Sequence, residues 1–447
     1  MLMLLQGLVA TFKKKMKSVF SLKHIKCNKK WNKITCFYVL MFIPYIVTIL
    51  SHIFLDNVRL EAGTWQVSEI LINYQGGFVR RGLIGEAIYH LQQNFGINAL
   101  LIAYIFSIIS ALIFFYLIIR DTIKRKFSIL FLPTTMLLSS LFVSGHWVRK
   151  DFFILLLFYF IVLLLKRQWK IKYLLINTLL IIGILTHEVI FFISLPIIFI
   201  TVCNETSVVS RKEPVTNLII NALWCSLYIL PSIITLLFVT LFKGDVECAT
   251  QIWESWQSVG VLSGEMKGAI AAIGWTPEKA IAVGTEVWTT IKCGVYYPFM
   301  WAFLAFVAFV IFVWMYRLKP TILGYCAKKD FDISESSYII VFQFLAMLPL
   351  LLVFADTSRA FFYVIMSAYI IRLYDDTYLY STVLGELNAR TKKLLLSIDK
   401  FVDKRPKTFA ITAFVIGLPS ISISALEHII LHGQIGFFVK SIIEIFK

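Results

Sequence analysis

The chain has 447 residues, 59% of them hydrophobic and 15% charged, with a mean hydropathy of +0.80. That composition excludes an ordinary water-soluble globule and makes lipid the expected solvent. The formal charge of +17 does not signal nucleic acid, because the basic residues form short blocks between apolar runs, as positive-inside topology requires, rather than a stripe or an aromatic-interleaved patch.

Apolar runs of roughly 17 to 25 residues, long enough as helix to cross about 30 Å of hydrocarbon, recur throughout. The expected fold is all-α: a polytopic transmembrane bundle of about eleven helices over 34–431, after a basic segment 1–33 and before an amphipathic tail 432–447. Segment 1–33 carries Lys13, Lys14, Lys15, Lys17, Lys23, Lys26, Lys29, Lys30 and Lys33 with no acidic residue, which places the N-terminus in the cytoplasm. Residues 1–10 precede those charges and do not read as a cleaved leader.

A first span at 34–55 delivers Asp56 outside, and an outer loop 56–98 leads to a return helix at 99–119. Spans at 127–145 and 152–165 turn outside at 146–151. The apolar stretch 173–203 is too long for one ordinary span, and Thr186-His187-Glu188 divides it into two short helices with an outer turn. A single tilted helix is the rival reading, and it would put Arg317, Lys319, Lys328 and Lys329 outside. One helix is expected at 217–242, then an outer loop 243–298, then spans at 299–316, 338–355, 360–371 and 409–431. Cys248 and Cys293 bracket the large loop, and an oxidising outer compartment predicts a disulfide between them.

Four clusters fall on the outer side. In the first loop Gly76 and Gly77 allow close backbone approach, while Arg80 and Arg81 offer forked donors suited to phosphate. An interfacial helix follows from Leu83. Arg149 and Lys150 stand on the disfavoured side of the topology rule, with Asp151 at a helix mouth where a carboxylate suits the dipole or simply caps it. His187 and Glu188 sit between two apolar half-helices, a costly position for ionisable groups. Asp356 and Arg359 lie one turn apart; they pair with each other, or Arg359 faces the same phosphate as Arg80 while Asp356 orients it. Together the clusters describe a site for a polyanionic, lipid-linked substrate. Arginines hold the leaving phosphate, and Glu188, with His187 or Asp56, takes a proton from the acceptor. No metal ligand set is read from the spacing, although a divalent cation is a possible cofactor.

The stretch GGFVRRGLIGE at 76–86, the later RKD at 149–151, THE at 186–188 and D-x-x-R at 356–359 resemble a family of bacterial polytopic proteins associated with surface-polysaccharide assembly. A first span followed by a long outer loop with interfacial helices is similar to GT-C membrane glycosyltransferases, and the cationic outer site resembles O-antigen polymerases and ligases. The resemblance implies an inner-membrane enzyme of O-antigen or capsule synthesis. It would move a saccharide from a polyprenyl phosphate or diphosphate to a glycan acceptor on the periplasmic face, beside other assembly proteins. In the GT-C class a first-loop carboxylate commonly matters, and Asp56 or Glu69 stands where it would be. A flippase of lipid-linked saccharide is the alternative; no internal repeat supports it. A third reading is a scaffold whose outer loop binds a partner or glycan through Trp253, Trp256, Trp275 and Trp288.

Overall fold

The computed structural model describes residues 63–124, 148–206, 214–276, 342–350 and 357–374, with short pieces at 278–279, 281–283, 291–292, 295–296 and 443. Those residues are helical apart from turns and one antiparallel hairpin, β1 (Ile291–Lys292) with β2 (Val295–Tyr296). The spans expected at 34–55, 127–145, 299–316 and 409–431, and the segments 1–33 and 432–447 save residue 443, lie outside the described residues.

Two short helices precede the bundle. Helix α1 (Trp65–Ile70) leads by an irregular turn to α2 (Leu83–Phe95), which stops at Gly96 in the left-handed conformation, φ 64°. Glycine has no side chain to oppose that stop. Asn98 then starts α3 (Ala99–Lys124), its Oδ1 accepting the Leu101 N–H at 3.1 Å. Over Ala99–Thr122, α3 is long and apolar enough to cross a membrane. One face, with Leu101, Ile105, Ile109, Leu112 and Tyr116, is exposed and apolar, whereas Ala103, Ser107, Ser110, Phe114 and Ile118 are buried.

Helix α4 (Asp151–Leu165) is buried on nearly every side by α3, α5 (Lys172–Thr186), α6 (Val189–Thr206) and α11 (Thr357–Tyr374). The apolar stretch 173–203 is two helices. His187 interrupts it with an extended backbone, φ −168° and ψ 122°. Gly183 lets α5 and α6 approach, since a β-carbon there would sit 2.5 Å from the Ile190 side chain.

The single helix expected over 217–242 is instead α7 (Pro214–Tyr228) and α8 (Leu230–Leu241), bent by 78°. Pro231 cannot donate to the preceding turn, and it occupies the first turn of α8, where that loss is harmless. Asn177 of α5 holds the bend. Its amide donates to the Tyr228 carbonyl at 2.8 Å, and its Oδ1 accepts from the Ser232 hydroxyl at 2.6 Å. If this bent pair is one span, the described residues contain two helical spans by length and composition; the other apolar helices there are shorter.

The loop after α8 is also structured. Asp245 caps α9 (Val246–Ser258) by accepting the Cys248 N–H at 2.8 Å, and α10 (Gly268–Ile273) follows. Both pack toward α1: Trp256 donates its indole N–H to the Leu71 carbonyl at 2.7 Å, Asn73 donates to Ser255 Oγ at 3.0 Å, and Ser68 Oγ accepts the Ala269 N–H at 2.8 Å. Segments some 180 residues apart in sequence thereby form one cap over the bundle.

Candidate functional site

Under this cap the first residues of α2, α4, α6 and α11 converge, bringing the partial positive charge of four helix N-termini to one pole. The converging segments bring Glu69, Arg81, Lys150, Asp151, His187, Glu188 and Arg359 together.

Arg81 is the hub. Its Nε donates to Glu188 Oε2 at 2.9 Å, its Nη2 pairs with Glu188 Oε1, and its Nη1 reaches Glu69 Oε1 at 3.2 Å. The backbone there is left-handed, φ 67°, the only such non-glycine residue among the described residues. Lys150 donates from Nζ to the Arg81 carbonyl at 2.7 Å, and burial pushes its ammonium down to about 7. Glu69 is buried at 2% exposure. Burial alone would raise its carboxyl, but Arg359, Arg81 and His187 outweigh that and hold it well below the ordinary 4.5. Burial likewise opposes the charge on Arg81, and Glu188 and Glu69 more than restore it.

Arg359 of α11 reaches two carboxylates on other elements. Its Nε donates to Asp151 Oδ1 at 2.5 Å, and its Nη1 lies 3.7 Å from Glu69 Oε2; Asp356 falls outside the described residues. His187 is fully buried, with Nδ1 accepting the Val189 N–H at 3.3 Å and Nε2 3.6 Å from Glu69 Oε1. It fixes the turn between α5 and α6 and stands behind the carboxylates.

The loop carrying Arg80 and Arg81 is braced from within. Glu86 accepts the Tyr74 N–H at 2.7 Å and the Gln75 side-chain amide at 2.9 Å. Gly85 lets α2 cross the preceding strand of chain: a β-carbon there would lie 1.9 Å from the Ile72 carbonyl oxygen. Gly77 has φ 99°, and a β-carbon on Gly76 would meet the Cys248 carbonyl at 2.4 Å.

The expected residues therefore divide by depth. Arg80 is exposed, Arg81 and Glu188 present 19% and 14% of their side chains, and Arg149, Arg359, Asp151, Glu69 and His187 are buried. Asp56 and Cys293 lie outside the described residues, and Cys248 is a buried free thiol. Trp253 and Trp256 do not form an open aromatic face; both are buried in the cap, and Trp275 packs against Trp65 with centroids 6.0 Å apart. Trp288 falls outside the described residues.

The bond from Lys150 to the Arg81 backbone and the central place of Glu69 are decided by the fold. Each had a signal: a lysine before a helix N-terminus opposes the dipole, and Glu69 is the lone carboxylate in an otherwise uncharged helical run. Among the described residues no group of three or more His, Cys, Asp or Glu could hold a metal ion. The carboxylates at this pole fit a divalent cation poorly, because each already faces a guanidinium. The chain matches no family model, no curated protein and no solved structure in comparisons with known proteins.

Proposed function

We propose that the chain is an integral membrane glycosyltransferase or repeat-unit polymerase of O-antigen or capsule synthesis. In this reading it is a multi-pass bundle of about eleven helices in a bacterial inner membrane, with its N-terminus in the cytoplasm and the charged pole facing the periplasm. The donor is a saccharide on a polyprenyl phosphate or diphosphate. The observation that carries the reading is the meeting of Arg81 and Glu188, 107 residues apart, at the mouth of a buried charge network beside the exposed Arg80. Scarce ionised groups gathered at the end of apolar helices are costly unless they serve a site.

Each residue has a part. Arg80 and the open edge of Arg81 neutralise the donor phosphate as the glycosidic C–O bond breaks and charge builds on the leaving oxygen. Glu188 accepts a hydrogen bond from the acceptor hydroxyl and takes its proton as the new C–O bond forms. Arg359, Asp151, Glu69, His187 and Lys150 position these groups and do not touch substrate.

The direct test is Glu188→Gln and Arg80→Ala in the full chain, with membrane insertion checked alongside. We expect Glu188→Gln to lower transfer by about a hundredfold or more, the usual weight of a general base, and Arg80→Ala to raise the donor KM. Wild-type glycan from both variants would overturn the assignment.

A further inference from the structure

A second feature lies on the other side of the Gly76–Arg81 loop. An open cleft of about 490 Å³ runs between that loop and the junction of α8 with α9. Its volume falls in the range of small-ligand sites. Phe78 and Phe242 line it, both exposed, with their rings edge to face at 6.1 Å; Phe78 stacks on Tyr74 at 5.4 Å and Phe242 on Phe238 at 5.5 Å. Large exposed aromatic rings held by other aromatic rings are preformed platforms. Polar groups complete the lining: Lys243, Asp245, Glu247 and Gln251, all exposed.

Two observations select the occupant. Carboxylates outnumber cations in this lining, Asp245 and Glu247 against Lys243, in contrast to the arginine-bearing pole at Arg80. Apolar ring faces beside amide and carboxylate hydrogen-bonding groups instead match a neutral sugar, whose ring C–H face packs on aromatics while its hydroxyls bond the rim. The cleft also lies at the end of an apolar ramp. Ile234, Leu237, Phe238 and Leu241 of α8 are exposed at i, i+3, i+4 and i+7, one continuous helical face that leads to Phe242.

We propose that this cleft binds the sugar end of a lipid-linked acceptor, with the lipid along the exposed face of α8. The assignment rests on the transferase reading above and adds its acceptor subsite: phosphate is taken on one side of the 76–81 loop and neutral sugar on the other.

The test uses the full chain in lipid nanodiscs and saturation-transfer NMR with methyl glycosides of glucose, galactose, mannose and N-acetylglucosamine. At least one should receive saturation and keep it when inorganic phosphate is added. Phe242→Ala should weaken that binding about tenfold, equivalent to about 1.4 kcal/mol, and Gln251→Ala should weaken it too. Both side chains are exposed, so the fold survives their truncation. Silence from all four sugars, displacement by phosphate, or equal binding by Phe242→Ala would overturn the proposal. If Glu188→Gln abolishes transfer while no sugar binds, the cleft assignment fails and the reaction stands. If sugar binding depends on Phe242 while Glu188→Gln transfers normally, the reaction fails and the cleft stands.

Discussion

Arg81 adopts a left-handed backbone that costs an L-residue with a β-carbon about 1–2 kcal/mol. Glycine would remove that cost, and the arginine persists because two carboxylates and the Lys150 bond to its carbonyl over-determine its place. Glu69 is the member whose loss is felt most widely, since it faces Arg81, Arg359 and His187 at once. Glu69→Gln keeps the volume and removes the charge, leaving buried guanidinium uncompensated; we expect a loss of about 3 kcal/mol or more, read as a lower unfolding temperature. The pH dependence has a defined sign. A carboxyl held below its ordinary value contributes stability that is complete above about 4.5 and drains away as pH falls through the folded value. Wild-type unfolding temperature should therefore drop more steeply below pH 4.5 than that of Glu69→Gln; parallel curves would show that Glu69 is not held as its surroundings require.

The helices meet where their backbones are allowed to approach or obliged to stop. Gly85 brings α2 against the carbonyls of the chain leaving α1, and that contact aims Arg80 and Arg81. Gly85→Ala should shift α2 at a cost of about 1–3 kcal/mol. It should also lower transfer without any change of charged group, measurable by unfolding and activity on the same preparation. Asn177 works on the other side of the bundle by satisfying backbone groups freed at the bend before α8. Asn177→Ala leaves a buried carbonyl and hydroxyl with fewer partners, and about 1–3 kcal/mol of stability should be lost. Hydrogen exchange should rise first around 228–232, the segment that the amide holds. Uniform exchange across α5 and α8 would place the bend's support elsewhere.

Among the described residues, two clusters of buried charge stand at opposite ends of α4 and α11. The pole under the cap holds Arg81, Glu188 and Arg359. The other ties α3, α4 and α11 through Asp121, which accepts from Tyr159 at 2.6 Å and from Tyr374, with Arg120 at 2.8 Å and the pair Thr122 and Tyr369 at 2.7 Å beside it. If these poles lie on opposite membrane faces, Arg80→Cys is labelled by an impermeant maleimide in intact spheroplasts, whereas Trp169→Cys is labelled only after permeabilisation. Both positions are exposed, so access reports sidedness. Labelling of both from outside would rule out the proposed topology.

Composition and hydrophobic spacing were enough to establish a helical chain with a helix at Ala99–Thr122 long and apolar enough to cross a membrane, the division of 173–203 at Thr186-His187-Glu188, and the short list of charged residues worth watching. Those features are local or additive: apolar length sets a helix, and an ionisable residue in an apolar run stands out wherever the chain goes. Periodicity could not reveal that Arg359 reaches Asp151 of α4, that Glu69 stands at the centre, or that Trp253 and Trp256 are core while Phe78 and Phe242 are surface. It also missed the bend before α8, because a proline in the first turn of a second helix looks locally like a proline within one. Pairing across 107 or 208 residues is set by how the helices cross, and only tertiary packing decides which buried charges meet.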